Sequence, residues 1–248
     1  MSIYKEKVIV ITGASRGIGA ATALLAAKSG YFVVVNYKSS YECAENICRK
    51  ITQDGGKCIS VKADISNADD VKKLYDKSME IAGKVDVLVN NAGISEFSLF
   101  TDIGEKQWDR MFDTNVKGNF LVSKAFIPQM VHRKNGKIIN ISSVWGICGA
   151  SCEVHYSASK AAVIGMTKAL AKELGPSGIT VNCVAPGVID TDMNAAFSKE
   201  DIRALIDETP IERIGSPQDV AETVLFIASD RADFITGQVI SPNGGFVI

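Results

Sequence analysis

The sequence predicts an α/β fold in which about seven strands form a doubly wound parallel sheet with helices on both faces. Two observations predict this architecture. Short runs rich in Val and Ile, apolar on both faces, alternate with longer segments of helical periodicity. Repeated strand–helix–strand units require right-handed crossovers, and these place helices on both sides of one parallel sheet.

The individual elements follow from the same patterns. Strands are predicted at residues 8–12, 32–36, 58–62, 85–90, 137–142, 180–185 and 238–241. Helices are predicted at residues 17–29, 41–53, 68–81, 106–130, 156–174 and 217–228. Ser66-Asn67 and Ser216-Pro217 precede two of these helices, and capping side chains and a first-turn proline favour helix starts.

The length of 248 residues fits a single domain over residues 1–248, because α/β folds reach about 200–250 residues as one unit. Residues 186–208 form a long insert between a predicted strand and a late helix. Such inserts often cover a binding site, so we expect a substrate lid in this segment. A plain surface excursion is the alternative.

Composition and charge exclude several classes of protein. The 27 Lys and Arg against 28 Asp and Glu give a net charge of -1, whereas nucleic-acid-binding proteins carry a basic excess. No run of about 18 apolar residues exists, so we expect no membrane partner, and the first apolar run is too short for a secretion signal. The 6 Cys form no C-x-x-C pair and only 2 His accompany them, so we expect free thiols, no metal site and a cytoplasmic protein.

A glycine-rich turn follows the first predicted strand and opens the first predicted helix. Gly13 permits a tight turn, Gly17 lets the backbone approach a pyrophosphate, and Gly19 allows close packing of helix on strand. The helix N-terminus offers free N–H groups and a partial positive charge. The G-x-x-x-G-x-G spacing therefore predicts a Rossmann-like dinucleotide site that also includes Ser15, Arg16 and Ile18.

The end of the second predicted strand indicates which dinucleotide binds. NAD enzymes usually place an acidic residue there to bind the ribose 2′-hydroxyl. This chain has Asn36 instead, followed by Lys38, with no acid before Glu42. Arg16 and Lys38 would attract a 2′-phosphate, so we predict that Asn36 and these two cations favour NADP(H) over NAD(H).

A tyrosine and a lysine stand four residues apart at the start of a predicted helix. Tyr156 and Lys160 therefore share one helical face. A nearby ammonium would favour the phenolate and lower the tyrosine pKa, allowing proton exchange with an alcohol or carbonyl. Ser143 ends the preceding strand and can hydrogen-bond the same substrate oxygen. A Y-x-x-x-K pattern alone is common by accident, and its weight comes from its combination with the glycine turn.

Taken together, these motifs show that the chain resembles the short-chain dehydrogenase/reductase family over essentially its whole length. The shared motifs are T-G-x-x-x-G-I-G at residues 12–19, N-N-A-G at 90–93, Asn115, Ser143, Y-x-x-x-K at 156–160 and P-G at 186–187. The resemblance implies four catalytic residues. Tyr156 would be the general acid in reduction, and Ser143 would polarise the carbonyl. Lys160 would lower the tyrosine pKa and bind the nicotinamide ribose, while Asn115 would hold a water linking Lys160 to solvent.

The resemblance also implies further contacts to NADP(H). Asp64 and Ile65 correspond to the residues beside the adenine. The remaining expected contacts are Asn91, Ala92, Gly93, Pro186, Gly187, Val188, Ile189 and Thr191. The last three would approach the nicotinamide carboxamide.

Within the family, the chain most resembles reductases that act on 3-oxoacyl groups held by acyl carrier protein in fatty acid synthesis. Residues 36–37, 178–182, 191–193 and 243–245 carry this resemblance. Acyl carrier protein is acidic and needs a basic landing surface. Residues 132–134 and Lys137 could supply part of that surface.

Two departures keep another substrate open. Residues 175–177 replace an arginine that those reductases often carry, and Glu153 stands where they usually have a neutral amide. A carboxylate three residues before Tyr156 would favour an ammonium over an anion. Residues 149–155, with Trp145-Gly146 before them, are similar to a sister group. That group reduces a 5-aminopentanone group on a lysine of elongation factor P, and this is the alternative function.

A third interpretation belongs to a different class, a non-catalytic dinucleotide-sensing protein on a reductase scaffold. Such proteins usually lose the tyrosine or the lysine, and both are present here. The family resemblance also implies a homotetramer that pairs through residues 105–130, residues 156–174 and the C-terminal strand. The apolar ending at residues 244–248 suits a buried tail.

Overall fold

The computed structural model describes residues 6–194 and 198–248. The strands in these ranges are β1 (Val8–Ile11), β2 (Phe32–Tyr37), β3 (Lys57–Lys62), β4 (Val87–Asn90), β5 (Gly136–Ile141), β6 (Ile179–Val184) and β7 (Val239–Ile240). They form one parallel sheet in the order β3-β2-β1-β4-β5-β6-β7. The chain adds β2 and β3 on one side of β1 and β4 to β7 on the other. In such sheets ligands bind at this switch point between β1 and β4.

Helices cover both faces of the sheet, as predicted. The helices in the described ranges are α1 (Gly17–Lys28), α2 (Tyr41–Gln53), α3 (Ala68–Ala82), α4 (Glu105–Phe112), α5 (Gly118–Arg133), α6 (Trp145–Cys148), α7 (Val154–Leu174), α8 (Lys199–Asp207) and α9 (Pro217–Ala228). Successive residues along each strand point to opposite faces of the sheet and contribute to two hydrophobic cores, one on each face. Helices α1, α2 and α9 pack on the face that carries Ile9 and Ile11, and α3, α5 and α7 on the face that carries Val8 and Val10.

All seven predicted strands are confirmed, with ends that move by one or two residues. One predicted helix, residues 106–130, is divided. A π-helical turn at Asp113–Lys117 separates α4 from α5. The Asn115 amide donates to the main-chain carbonyl of Ile94 at 2.9 Å and accepts from its N–H at 2.9 Å. These two bonds draw the turn against the segment after β4, a contact that helical periodicity does not encode.

The insert predicted at residues 186–208 contains a helix of its own. Ser198 caps α8, since its hydroxyl accepts from the Asp201 N–H at 3.1 Å. Thr191, Met193 and Leu205 line the same cleft as the glycine turn. Residues 195–197 of the predicted lid lie outside the described residues.

The expectation that every cysteine is a free thiol is wrong. Cys48 of α2 and Cys58 of β3 form a disulfide. They are 10 residues apart, and the turn between α2 and β3 brings them together. A search for C-x-x-C pairs does not detect a disulfide of this spacing. Within the described ranges, no helix combines the length and apolarity needed to cross a membrane.

Candidate active site

The carboxyl ends of six strands open onto one cleft of about 1030 Å³. Nearly all residues predicted to bind a dinucleotide line it: Gly13, Ser15, Arg16, Gly17, Ile18, Asn36, Lys38, Asp64, Ile65, Asn91, Ala92, Gly93, Pro186, Gly187, Val188, Ile189 and Thr191. Ser143, Tyr156 and Lys160 line it as well. Gly19 and Asn115 are buried and do not line the cleft.

The glycine turn packs directly against the segment after β4. Gly13 has a φ of +62°, and a Cβ on it would lie 2.8 Å from the Ala92 Cα, so only glycine fits. Thr12 ties the two segments together, because its hydroxyl accepts from the N–H groups of Asn91 and Ala92 at 3.0 Å each. Thr12 was not predicted as a site residue. Its position just before Gly13 is the signal that could have found it.

Asn91 lines the cleft, but its side-chain amide is hydrogen-bonded to the glycine turn. Its amide donates to the main-chain carbonyls of Thr12 at 2.9 Å and Gly13 at 3.1 Å. Gly19 serves the same junction, since a Cβ on it would lie 2.6 Å from the Asn91 amide nitrogen. These contacts fix the glycine turn at the start of α1. No side chain caps the helix at Arg16, so its first N–H groups are available to an anion.

The two cations predicted for a 2′-phosphate each have an acidic neighbour. Arg16 lies in the glycine turn, and Lys38 directly follows β2. Lys38 lies 2.6 Å from Asp64, and Arg16 lies 3.8 Å from Asp192. Burial raises the pKa of Asp64, but hydrogen bonds from Lys38 and Ser66 outweigh it and hold that pKa below its usual value. Both cations are exposed, and exposed pairs contribute little stability, so a phosphate could replace either carboxylate.

Asn36 plays a different part from the one its sequence position suggests. Its side chain is buried, and its amide donates to the carbonyls of Val61 at 3.3 Å and Ala63 at 3.0 Å. Its carbonyl oxygen accepts from the Gly13 N–H at 3.3 Å. Asn36 therefore joins β2, β3 and the glycine turn. Arg16 and Lys38 are the nearby side chains that can contact a ligand in the cleft.

Tyr156 lies near the start of α7 with only 6% of its surface exposed. Burial raises its pKa well above the usual value, a hydrogen bond with Ser143 opposes this, and the Glu153 charge adds to it. This net direction is opposite to the decrease that the neighbouring lysine predicted. Desolvation of the phenolate dominates, and Lys160 is not among the groups that shift the tyrosine pKa.

Lys160 is buried one turn along α7, with its nitrogen 5.6 Å from the centre of the Tyr156 ring. The nitrogen donates to the Ile141 carbonyl at 2.9 Å. Burial lowers the pKa of Lys160 to about 8, because the ammonium has left water without gaining a carboxylate partner. Lysine and tyrosine thus share one face of the cleft, as predicted from their spacing.

Asn115 sits behind Lys160 on the π-helical turn. Besides its two bonds to Ile94, its amide donates to the Ser159 hydroxyl at 3.0 Å. Gly93 separates the two functional groups, since a Cβ on Gly93 would lie 3.2 Å from both the Asn115 carbonyl oxygen and the Lys160 nitrogen. The absence of a side chain at Gly93 keeps the space between them open.

Glu153 also lines the cleft, immediately before α7. Its carboxylate accepts a hydrogen bond of 2.5 Å from the Ser95 hydroxyl. Burial raises the pKa of Glu153, and the hydrogen bond from Ser95 opposes the rise. Ser95 was not predicted as a site residue, although it follows N-N-A-G by two positions.

The predicted basic surface at residues 132–137 lies at the amino end of β5, on the opposite edge of the sheet from the cleft. Arg133 forms an ion pair with Asp86, and Lys137 lies 2.6 Å from Asp233. Within one subunit these cations are therefore distant from Tyr156 and are engaged by acids.

The residues present fit a dinucleotide. The glycine turn accepts only glycine at position 13, and no side chain caps the start of α1. Lys160 lines the same cleft. A metal cofactor finds no comparable site, since the described residues hold no group of three His, Cys, Asp or Glu side chains suited to a metal ion.

Comparison with known proteins agrees with this geometry. The family model described as short chain dehydrogenase matches residues 7–202. A Staphylococcus aureus protein named 3-oxoacyl-[acyl-carrier-protein] reductase FabG is 45% identical over 239 residues, which cover 96% of this chain and 97% of the relative. A Synechocystis protein named 3-oxoacyl-[acyl-carrier-protein] reductase is 44% identical and covers 100% of both chains. The crystal structure of a Brucella melitensis 3-oxoacyl-[acyl-carrier protein] reductase superposes with a TM-score of 0.92 at 34% identity, covering 98% of this chain and 92% of that one.

Proposed function

Because the chain belongs to the short chain dehydrogenase family and is an oxidoreductase, we propose that it is an NADPH-dependent carbonyl reductase. The proposed reaction transfers a hydride to the 3-oxo group of an acyl thioester on acyl carrier protein, with Tyr156 as the general acid. One observation carries the proposal: Ser143, Tyr156 and Lys160 meet in the cleft whose other end is the glycine turn.

The proposed contacts to NADPH follow the walls of the cleft. The turn at residues 13–18 and the open start of α1 would bind the pyrophosphate. Arg16 and Lys38 would bind the 2′-phosphate, while Asp64 and Ile65 would contact the adenine. Lys160 would bind the nicotinamide ribose, and residues 186–191 would orient the ring. When bound, the cofactor supplies the hydride, and the protein supplies orientation and protons.

The side chains would then handle the charge that develops on the substrate. Ser143 and Tyr156 would both donate hydrogen bonds to the carbonyl oxygen, which becomes an alkoxide as the carbon gains a hydride. The Tyr156 proton passes to this oxygen and completes the alcohol. The raised pKa of Tyr156 suits this direction, because the phenol holds its proton until the alkoxide forms. Lys160 and a water held at Asn115 would return a proton to the tyrosine.

The names of the relatives support a 3-oxoacyl thioester as the substrate. The test incubates the protein with NADPH and acetoacetyl-acyl carrier protein. Loss of NADPH absorbance measures the reaction rate, and the 3-hydroxyacyl product is then identified. Turnover that Tyr156→Phe abolishes is the expected result. The same assay separates an enzyme from the dinucleotide-sensing alternative, since a sensor would bind NADPH and leave every ketone unreduced.

A second substrate is favoured by one specific observation, the buried carboxylate of Glu153 in the cleft wall. A ketone that carries an amine would suit it better than a neutral acyl chain. The 5-aminopentanone group on a lysine of elongation factor P is such a ketone. Comparing kcat/KM for the modified elongation factor with that for acetoacetyl-acyl carrier protein decides between the two substrates.

We also propose that the chain forms a homotetramer. Phe120 and Val131 on α5 expose 47% and 38% of their surfaces in a single subunit, and the terminal Ile248 is fully exposed. Exposed apolar groups on one helix commonly mark a subunit contact. Light scattering of the purified protein measures the assembly directly, and a monomeric mass would refute this proposal.

A further inference from the structure

The Ser143 hydroxyl lines the cleft, and the main chain two residues further on fixes its direction. The Trp145 N–H donates to the Ser143 oxygen at 3.2 Å. A hydroxyl oxygen accepts with its lone pairs and has one proton to donate. Because the N–H occupies a lone pair, the proton is left to donate elsewhere, and Ser143 also forms a hydrogen bond with the Tyr156 phenol. The main chain at Trp145 therefore sets the direction in which Ser143 would donate to a ketone.

The turn at residues 143–146 is fixed on one side by main-chain contacts. A Cβ on Gly146 would lie 2.8 Å from the Lys160 carbonyl carbon, so only glycine allows the turn to approach α7 this closely. The Val144 N–H donates to the Pro186 carbonyl at 2.9 Å. These contacts hold the turn between α7 and the segment that follows β6.

The Trp145 side chain also lines the cleft, and it meets the last residues of the chain. Its ring packs edge-to-face on the Phe246 ring, with ring centres 5.4 Å apart and ring planes at 80°. Edge-to-face packing is a favoured geometry for two aromatic rings. Both residues are half-buried. The C-terminal segment thus reaches the turn that carries Ser143 through one aromatic contact.

The segment that carries Phe246 is itself a hydrogen-bonded turn. The Asn243 amide donates to the Val247 carbonyl at 2.8 Å, and its carbonyl oxygen accepts from the Gly245 N–H at 2.8 Å. Gly245 has a φ of +87°, and a Cβ on it would lie 2.9 Å from the Pro210 Cγ. The turn therefore packs directly on the residues that follow α8, and Phe246 is held in place within its own subunit.

We propose that Trp145 and Phe246 are positioning residues for Ser143. The contact between their rings keeps the Trp145 N–H on the Ser143 oxygen, so that the serine proton is directed at the ketone. Both residues would act through Ser143, without a chemical step of their own. This inference rests on the proposed ketone reduction, and it adds the C-terminal segment to the parts of the chain that turnover requires.

The kinetic test uses NADPH and acetoacetyl-acyl carrier protein. Phe246→Ala should lower kcat at least tenfold, because small displacements of catalytic groups have effects of this size, while KM for NADPH stays within twofold. Phe246→Tyr retains the ring and should keep kcat within twofold of wild type. Ile248→Ala is the matched control, since it truncates a fully exposed apolar side chain of the same segment and should also keep wild-type kcat.

A double variant tests whether Phe246 acts through Ser143. Ser143→Ala already removes the hydroxyl that the ring contact would orient. The combination of Ser143→Ala and Phe246→Ala should therefore have a kcat within twofold of Ser143→Ala alone. Wild-type kcat in Phe246→Ala, an equal loss in Ile248→Ala, or losses that multiply in the double variant would each overturn the proposal.

Hydrogen exchange separates this inference from the proposed function. The chain has 2 Trp, so ¹⁵N-tryptophan labelling gives two main-chain amide signals, and Trp108→Phe identifies the signal of Trp145. We expect this amide to exchange at least tenfold faster in both Ser143→Ala and Phe246→Ala. If acetoacetyl-acyl carrier protein is not reduced, the reductase proposal fails on its own, and faster exchange in both variants would still support the positioning contact. Unchanged exchange in Phe246→Ala would refute it.

Discussion

The Lys160 nitrogen donates a 2.9 Å hydrogen bond to the main-chain carbonyl of Ile141, the last residue of β5. A buried ammonium held by a neutral carbonyl is costly, and its pKa of about 8 expresses that cost. Lysine at this position is therefore expected to decrease stability while it serves the reaction.

Lys160→Met should make the folded protein more stable at neutral pH. The unfolded lysine has a pKa of 10.5 and the folded one about 8, so folding below pH 8 must bury a charge. We expect a gain of about 1–3 kcal/mol at pH 7 and a loss of almost all turnover. The gain should shrink as pH rises from 8 towards 10.5 and vanish well above 10.5, where the wild-type lysine is neutral in both states. Chemical denaturation of both proteins at several pH values measures this, and a constant difference would contradict it.

Tyr156→Phe should bind NADPH normally and lose most turnover, by about 10²–10⁴-fold. Because the pKa of Tyr156 is raised, the wild-type phenol keeps its proton across neutral pH. Reduction should therefore proceed at neutral pH, while oxidation of the alcohol needs the phenolate and should accelerate as pH rises. Steady-state rates in both directions test this, with NADPH fluorescence as the binding control. Near-wild-type reduction by the variant would exclude the tyrosine as the acid.

Gly93→Ala should lower kcat by about 10–100-fold, because misplacement of catalytic groups by an ångström has effects of this size. The added methyl would lie 3.2 Å from both the Lys160 nitrogen and the Asn115 carbonyl oxygen. Gly165→Ala on α7 is the matched control, since a Cβ there meets nothing within 4 Å. That control should keep wild-type kcat, and equal kcat in both variants would argue against a relay across Gly93.

Lys38→Ala should raise KM for NADPH about tenfold and leave KM for NADH within twofold, because a charge-assisted bond to phosphate is lost. Lys72→Ala removes an equally exposed lysine that pairs with Asp76 on α3, far from the cleft, and should change neither value. Initial rates with each cofactor measure the effect. A wild-type preference for NADH in kcat/KM would refute the assignment of NADP(H).

His155→Leu should raise the free energy of unfolding by about 1 kcal/mol, because an unpaired buried polar group costs about 1–3 kcal/mol. His155 is fully buried beside Tyr156, and neither ring nitrogen has a hydrogen-bond partner in the described part of the chain. His132→Leu on the exposed side of α5 is the control and should leave stability nearly unchanged. Destabilisation by His155→Leu would show that the imidazole has a favourable contact.

The sequence by itself determined the order of strands and helices and most of the functional residues that line the cleft. Apolar periodicity and helix starts are local properties, so they predict elements whatever surrounds them. Parallel strands end at one edge of a sheet, and motifs that follow six different strands therefore converge without further information. Tyr156 and Lys160 share a face because they are four residues apart on one helix.

Only the tertiary structure decided how those residues behave. Asn115 meets Ile94 and breaks a predicted helix, and Ser95 meets Glu153 across 58 residues of chain. The pKa of Tyr156 is raised where the sequence pattern predicted a decrease, because burial depends on everything packed around the phenol. Contacts between distant segments and the removal of water arise from packing, and residue type and spacing do not encode them.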